Sequence, residues 1–141
     1  MPLGAFIADK KIMDSLSSNP VLGHINTFGG HPVCCAAGNA AMQYLLDEKI
    51  INDVKNKEQQ FIINLKHSLI KSIRSCGLMI ALEFETFETN KKIIDLLIEN
   101  GIFTDWFLFA PQSLRIVPPL TITNEEITFS CTIIKNVLDH L

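Results

Sequence analysis

A threonine beside two glycines, just before a predicted helix, is the first group of residues in this chain that could bind a ligand. Thr27 offers a hydroxyl next to Gly29 and Gly30, and Pro32 suits the first position of the helix that follows. Glycines let backbone N–H groups approach an anion closely, and a helix directs its positive end toward its N-terminus. The pattern is therefore compatible with a phosphate site, although on composition alone an ordinary glycine-rich loop with a threonine cap is more common.

Arg115 is the second candidate binding residue. It alternates with the apolar Leu114 and Ile116 on a predicted short strand, directly before a pair of prolines. A planar guanidinium in such a place suits a carboxylate, because it can donate two parallel hydrogen bonds. A surface or interdomain ion pair is the alternative interpretation, and the residues alone leave both open. Arg74, the other arginine of the chain, has no comparable context and is expected to face solvent.

The remaining histidines, cysteines and carboxylates give weaker signals. Four residues could in principle bind a metal: His24, His31, Cys34 and Cys35. No metal site is predicted, because their spacing matches no standard zinc pattern and adjacent cysteines point about 100° apart on a helix. Glu83 and Glu85 share one face of a predicted strand, where a solvated surface is more common than an acid–base pair. We predict no catalytic residue within this sequence.

Composition excludes several classes of protein. The chain has 141 residues, of which 48% are hydrophobic and 19% charged, and a formal net charge of −3. It contains no basic stripe, so nucleic-acid binding is not expected. No apolar run is long enough to cross a membrane, and the first residues do not resemble a signal peptide. The four cysteines form no C-x-x-C pair. They are expected to be reduced thiols, which favours a cytoplasmic location.

Hydrophobic spacing predicts the elements of the first half. Residues 2–8 are expected to form a buried strand and residues 10–16 a short helix. A glycine-rich loop follows over residues 23–32. One long helix is predicted for residues 33–55, and its first half consists of small residues on nearly every face. A second helix is expected over residues 58–72.

The second half alternates between strands and helices. Residues 76–85 follow a period of two, which predicts a strand with Leu78, Ile80, Leu82 and Phe84 on its buried face. A helix is expected from Thr89 as N-cap to Asn100, with Gly101 as its stop. Residues 102–109 and 114–117 are predicted strands joined by a turn over residues 110–113. Thr123 and Glu126 form a capping box for the last helix.

This order of elements predicts an α+β (α/β) architecture. Residues 56–141 are expected to form a small domain, in which a mostly antiparallel sheet carries helices on one face. The first third does not look self-contained, because a lone buried strand needs neighbours on both sides. We therefore expect residues 1–32 to be the edge of a larger domain and residues 33–55 to be a long interdomain helix.

Three segments of the chain resemble class III aminotransferases, which are fold-type I enzymes that use pyridoxal 5′-phosphate (PLP). These segments are MPLGAFIADKKIMDSL, GHINTFGGHPVCCAAGNAAM and LRIVPPLTITNEEI. The resemblance covers essentially all 141 residues in the same order, and the acetylornithine and ornithine aminotransferases are the most similar members. It implies the C-terminal small domain of the PLP-dependent transferase fold, preceded by a remnant of the PLP-binding large domain.

The resemblance also implies roles for both candidate residues. Thr27 matches the threonine that hydrogen-bonds the PLP phosphate of the neighbouring subunit, and Arg115 matches the arginine that binds the substrate carboxylate. The implied reaction transfers an amino group between an amino acid, such as ornithine or acetylornithine, and a 2-oxo acid. A homo-oligomer is expected, because the small apolar residues 33–42 would otherwise remain exposed.

One departure from the family concerns the lysine that binds PLP. In the family it precedes the M-P-x-G-A motif, with which this sequence begins. Lys10 and Lys11 are poor substitutes, because they are expected at the start of an exposed helix and not in a sheltered pocket. We therefore expect the chain alone to be inactive and not to bind PLP covalently. The alternative is a non-catalytic module for ligand binding or oligomerisation, formed by residues 56–141.

Overall fold

The computed structural model describes all 141 residues, which divide into two compact units, Met1–Glu48 and Lys49–Leu141. The first unit contains two α-helices, and the second contains three α-helices and a four-stranded sheet. No helix in either unit combines the length and the hydropathy that a membrane crossing requires.

The first unit contains helices and turns but no extended strand. Helix α1 (Lys10–Met13) begins after Asp9, whose carboxylate accepts a hydrogen bond from the backbone N–H of Lys11. A 3₁₀ turn, Asp14–Leu16, follows it. The strand predicted for residues 2–8 is wrong, because these residues pair with no other strand and are almost all exposed. Their apolar composition alone cannot form a ladder where no partner strand is present.

Helix α2 (Pro32–Asp47) has the predicted start but ends earlier than predicted. Pro32 occupies its first turn, and the His31 Nδ1 atom accepts a hydrogen bond from the N–H of Val33 at 3.3 Å. The single helix expected over residues 33–55 is wrong, because Lys49 adopts a left-handed conformation with φ of 51°. A 3₁₀ turn, Ile50–Asp53, then leads into helix α3 (Val54–Asn64). Since no glycine marks this break, the sequence pattern did not indicate it.

A hairpin opens the sheet of the second unit. Strand β1 (Ser72–Cys76) pairs antiparallel with strand β2 (Met79–Glu83), and Gly77 makes the turn with φ of 58°. The strand predicted for residues 76–85 is confirmed as β2 over residues 79–83, whereas Cys76 belongs to β1 and Gly77 to the turn. The prediction that a helix continues to residue 72 is wrong, because α3 ends at Asn64. Ile73 continues the helical spacing of the apolar residues in α3. The pattern therefore favoured a helix at residues that form the start of β1.

The sheet is completed by strands β3 (Asp105–Phe107) and β4 (Ala110–Ile116), giving the order β1-β2-β4-β3 with every neighbouring pair antiparallel. The turn predicted for residues 110–113 is wrong, because these residues belong to β4. The N–H of Phe84 donates to the carbonyl of Gln112, which extends the pairing past Pro111. The carbonyl of Pro111 accepts a hydrogen bond from the Asn90 side chain at 2.7 Å, which ties β4 to helix α4.

One continuous core lies between the sheet and the helices of the second unit. Helices α3, α4 (Phe87–Glu99) and α5 (Asn124–Asp139) contribute to it together with one face of the sheet. Its fully buried members include the predicted inward residues of β2 and side chains from each helix: Phe61, Leu65, Ile80, Leu82, Ile93, Leu97, Leu114 and Ile127. The α+β fold class predicted from the sequence is confirmed.

Side-chain caps fix the starts of α4 and α5. Thr86, not the predicted Thr89, caps α4 by accepting a hydrogen bond from the N–H of Thr89. Gly101, with φ of 84°, follows the end of this helix as predicted. The capping box of α5 is confirmed. The Thr123 hydroxyl accepts from the Glu126 N–H at 3.2 Å, and the Glu126 carboxylate accepts from the Thr123 N–H at 2.8 Å.

Loss of this capping box should destabilise the second unit. Thr123→Ala removes one acceptor for the first turn of α5, so we expect the free energy of unfolding to fall by about 1 kcal/mol. Chemical denaturation measures the change. Thr121→Ala is the matched control, because Thr121 is exposed and caps no helix. Equal losses in the two variants would contradict the capping role.

Candidate functional site

Arg115 lies in the middle of the sheet, on the face opposite the core. In β4 it alternates with the buried Leu114, as the sequence predicted. Its cross-strand neighbours are Ala81 of β2 and Asp105 of β3. The pairing of β2, β4 and β3 therefore places the guanidinium beside a methyl group on one side and a carboxylate on the other.

Hydrogen bonds hold both Arg115 and its acidic neighbour. The Arg115 Nη2 atom donates to Asp105 Oδ2 at 3.3 Å, and the other carboxylate oxygen, Oδ1, accepts from the Trp106 N–H at 2.8 Å. The Thr104 hydroxyl donates to the backbone carbonyl of Arg115. A guanidinium carries five N–H donors, and only one of these contacts uses it. The ion pair foreseen as the alternative is thus present, and it leaves most of the guanidinium free.

Arg115 and Asp105 border an open cavity of about 1130 Å³. Much of its wall is apolar or aromatic, with Trp106, Phe107 and Ala81 among the lining residues. Apolar walls with a few polar groups are typical of sites for small organic ligands. The cavity can therefore receive an organic anion, with the guanidinium of Arg115 as the group that pairs with its charge.

Arg74 also lines this cavity, which its sequence context did not indicate. It lies on β1 and is more than half exposed, in agreement with the expectation that it faces solvent. However, its Nη2 atom donates to Ser113 Oγ at 3.3 Å and its Nη1 atom lies 3.7 Å from Glu83 Oε2. The alternation of Ser72, Arg74 and Cys76 before Gly77 is the signal that could have revealed the strand and its arginine.

Glu83, at the end of β2, and Glu85, two residues later, do not form a pair with each other. The Ser72 hydroxyl donates to Glu83 Oε2 at 2.7 Å, and this hydrogen bond, assisted by Arg74, holds the pKa of Glu83 below its usual value. Glu85 instead pairs with Lys71 at 2.8 Å, which raises the pKa of that lysine. Each carboxylate has its own partner, so the arrangement does not match an acid–base pair that shares a proton.

Thr27 lies in the first unit, in the turns that precede α2. The loop around it is exposed, and Gly30 adopts a φ of 72°, which glycine tolerates best. The Thr27 hydroxyl makes no hydrogen bond in the structure and is free to donate to a ligand. The structure thus presents Thr27 and Arg115 in separate units, each with an accessible polar group.

The structure contains no group of three or more histidine, cysteine or acidic side chains that could hold a metal ion. All four cysteines are free thiols. Cys35 and Cys76 are exposed, whereas Cys131 is buried in the core and its burial raises the pKa of its thiol to about 11.

The buried thiol should be far less reactive than the exposed ones. A raised pKa keeps Cys131 in the neutral thiol form at pH 8, and the thiolate is the reactive species. We expect iodoacetamide to label Cys76 rapidly in the native chain and Cys131 only after denaturation. Peptide mass spectrometry resolves the sites. Rapid labelling of native Cys131 would contradict the burial of α5 against the core.

Comparison with known proteins assigns this chain to a family. The family model for class-III aminotransferases matches residues 1–138. The chain belongs to the class III aminotransferases. The acetylornithine aminotransferase of Haemophilus ducreyi is 32% identical over 100% of this chain and 34% of its own length. The mitochondrial acetylornithine aminotransferase of Eremothecium gossypii is also 32% identical, over 99% of this chain and 33% of its own. This aminotransferase chain thus spans about a third of the length of these relatives.

Solved aminotransferase structures share the fold. The ornithine aminotransferase of Toxoplasma gondii, which has PLP at partial occupancy at its active site, is 33% identical with a TM-score of 0.74. It matches 92% of this chain and 31% of its own. The omega transaminase of Pseudomonas jessenii, solved with PMP, is 22% identical with a TM-score of 0.79, over 92% of this chain and 31% of its own, and shows similarity of fold alone.

Three lysines of the chain can be compared with the requirements of a lysine that binds PLP. Lys10 is exposed and paired with Asp14 at 2.6 Å, and Lys11 is exposed as well. The one buried lysine, Lys57, donates to the Leu120 carbonyl at 2.8 Å. A lysine that binds PLP must be sheltered and free to lose its proton. Lys10, Lys11 and Lys57 do not meet both conditions, so we derive no reaction step through PLP from these residues.

Proposed function

We propose that this chain acts as the C-terminal part of a PLP-dependent aminotransferase, in which Arg115 binds the carboxylate of the substrates. The reaction would transfer an amino group between an amino acid, such as ornithine or acetylornithine, and a 2-oxo acid. The observation that carries the proposal is the position of Arg115, whose largely free guanidinium borders the 1130 Å³ cavity. Both kinds of substrate carry a carboxylate that such a guanidinium can bind.

The surroundings of Arg115 support this proposed role. Leu114 and the core beneath fix the strand, and the hydrogen bond from Thr104 fixes the backbone carbonyl of Arg115. Asp105 restrains the guanidinium without enclosing it, since both side chains are nearly half exposed. Arg115 can therefore exchange part of its contact with Asp105 for the carboxylate of a ligand. Binding of this kind orients a substrate and needs no proton transfer by the arginine.

We further propose that Thr27 contacts the phosphate of PLP held by a partner subunit. Its free hydroxyl and the neighbouring Gly29 and Gly30 are accessible, and they precede the N-terminus of the 16-residue helix α2. An anion at this position would meet a hydroxyl donor and the positive end of the helix. The lysine that binds PLP would lie outside these 141 residues, because Lys10 and Lys11 are exposed and Lys57 is held by the Leu120 carbonyl.

A chimera tests the proposed function. The first two thirds of the Haemophilus ducreyi acetylornithine aminotransferase, joined to this chain in place of the matching third, should form a PLP-dependent aminotransferase. Transfer from acetylornithine or ornithine to a 2-oxo acid is measured directly. This chain alone, supplied with PLP, is expected to show no transfer. An inactive chimera that is folded and binds PLP would contradict the proposal.

A non-catalytic module is the second candidate function. The unit Lys49–Leu141 has its own core and its own cavity, as a ligand-binding domain requires. If the folded chimera is inactive while the chain itself binds carboxylates, this second function is favoured.

The exposed surface of α2 supports assembly with a second copy of the chain. None of its 16 residues is buried, and Val33, Met42, Tyr44 and Leu46 are large apolar side chains in solvent. Exposed apolar surface of this extent is typical of interaction sites. We therefore expect a dimer or larger species at tens of micromolar, as measured by light scattering. A monomer at that concentration would contradict this part of the proposal.

A further inference from the structure

Both arginines of the chain lie in one row across the sheet. The register pairs Arg74 of β1 with Ala81 of β2, and Ala81 with Arg115 of β4. Paired residues of neighbouring strands point to the same face, so all three lie on the face away from the core. One small residue therefore separates two positions that carry guanidinium groups.

The side chain of Arg74 crosses the strand that lies between them. Its Nη2 atom donates to Ser113 Oγ, and Ser113 belongs to β4, two strands away from β1. The path crosses β2 between Ala81, which is paired with Arg74, and Glu83, which is paired with Ser113. Ser113 and Arg115 are two residues apart on the same face of β4, which corresponds to about 7 Å along the strand. Arg74 thus reaches β4 at a residue two positions from Arg115.

Charge compensation permits this approach of two cations. Glu83 lies 3.7 Å from the Arg74 Nη1 atom, and Asp105 lies 3.3 Å from the Arg115 Nη2 atom. Each guanidinium keeps unused N–H donors, because the structure gives Arg74 one hydrogen bond and Arg115 one. Both line the same cavity. A carboxylate has two oxygens with about four acceptor positions, enough for donors from both arginines.

We propose that Arg74 is a second binding residue for the substrate carboxylate, which it holds together with Arg115, and that Ala81 makes this possible by leaving the path over β2 open. The inference rests on the proposed function, since it extends the carboxylate site of Arg115. A larger side chain at position 81 changes no charged residue. It would nevertheless stop the Arg74 side chain from crossing β2 toward Arg115. Ala81 thus affects carboxylate binding through its small size and donates no hydrogen bond to the ligand.

The small number of arginines makes a direct test available. Because the chain contains only two, a proton–nitrogen correlation spectrum shows two arginine Nε–Hε signals, and one variant assigns both. The full chain is titrated with butyrate at constant ionic strength, and with butyramide as the uncharged ligand of the same shape. We expect butyrate to shift both signals with one common Kd and butyramide to shift neither.

Three variants separate the contributions. Arg74→Lys keeps the charge but loses the planar fork, and Ala81→Val blocks the path while it suits a strand. We expect each to weaken butyrate binding by about tenfold. Lys66→Gln, which removes an exposed charge outside the cavity, should leave the Kd unchanged. The dispersion of the backbone signals shows that each variant is folded.

The outcomes distinguish this inference from the proposed function. If butyrate shifts only the Arg115 signal and Arg74→Lys binds as tightly as the parent, the role of Arg74 is refuted while the carboxylate site of Arg115 stands. If neither signal moves, both the second binding residue and the carboxylate site are refuted. A common Kd, lowered affinity in both cavity variants and an unaffected Lys66→Gln support the inference.

Discussion

Replacing Phe61 with alanine is expected to lower the free energy of unfolding of Lys49–Leu141 by about 3–5 kcal/mol. Phe61 lies on α3 and is 1% exposed within the core formed with the sheet and the other helices. Its removal loses the free energy that is gained when an aromatic ring is transferred from water into the core. It also leaves a cavity. Since domains of this size are stable by only about 5–15 kcal/mol, the loss is a large fraction of the total.

The measurement of this loss has an internal reporter and a matched control. Trp106 is the one tryptophan of the chain and belongs to the second unit, so its fluorescence follows the unfolding of that unit in denaturant. Phe109→Ala makes the same chemical change at a side chain that is 96% exposed, and its effect should stay within about 0.5 kcal/mol. Similar midpoints for the two variants would show that Phe61 is not part of the core.

Replacing Arg115 with glutamine in the aminotransferase chimera should lower kcat/KM by about a hundredfold. The change removes charge-assisted hydrogen bonds to the carboxylate, which contribute roughly 1.5–3 kcal/mol each. Because the carboxylate does not change during the reaction, most of the loss should appear in KM and less in kcat. Steady-state kinetics with varied 2-oxo acid separates the two parameters.

Two further variants make the result specific to the guanidinium. Arg115→Lys keeps the charge without the planar fork and should fall between the parent and the glutamine variant. Lys66→Gln removes one positive charge from an exposed site and should have the kinetics of the parent. An Arg115→Gln chimera with unchanged kcat/KM would refute the carboxylate role of Arg115.

The sequence predicted those helices and strands whose structure depends only on residues close together in the chain. The period of two in β2 and the capping box of α5 each specify one structure within a few residues, and both are confirmed. Strand β1 was missed because Ile73 also fits the helical spacing before it. The strand predicted for residues 2–8 is wrong because an apolar run becomes a strand only where a partner strand is present.

The candidate site shows the same division between local and distant information. The alternation around Arg115 was enough to place its side chain on the face away from the core. Its contact with Asp105 depends on the register between β3 and β4, and the approach of Arg74 depends on the hairpin of β1 and β2. The register between two strands depends on the turn that joins them and on the apolar patterns of both. The residue pattern along one strand therefore could not reveal it.

The lack of any buried side chain in Met1–Glu48 has a thermodynamic consequence. Because its side chains are at most half-buried, apolar burial within this unit offsets little of the entropy lost when about fifty residues become ordered. We therefore expect the helices of this unit to gain most of their stability when another surface covers them, so that ordering and association are coupled. The melting temperature of this segment then rises with protein concentration, as in a bimolecular reaction.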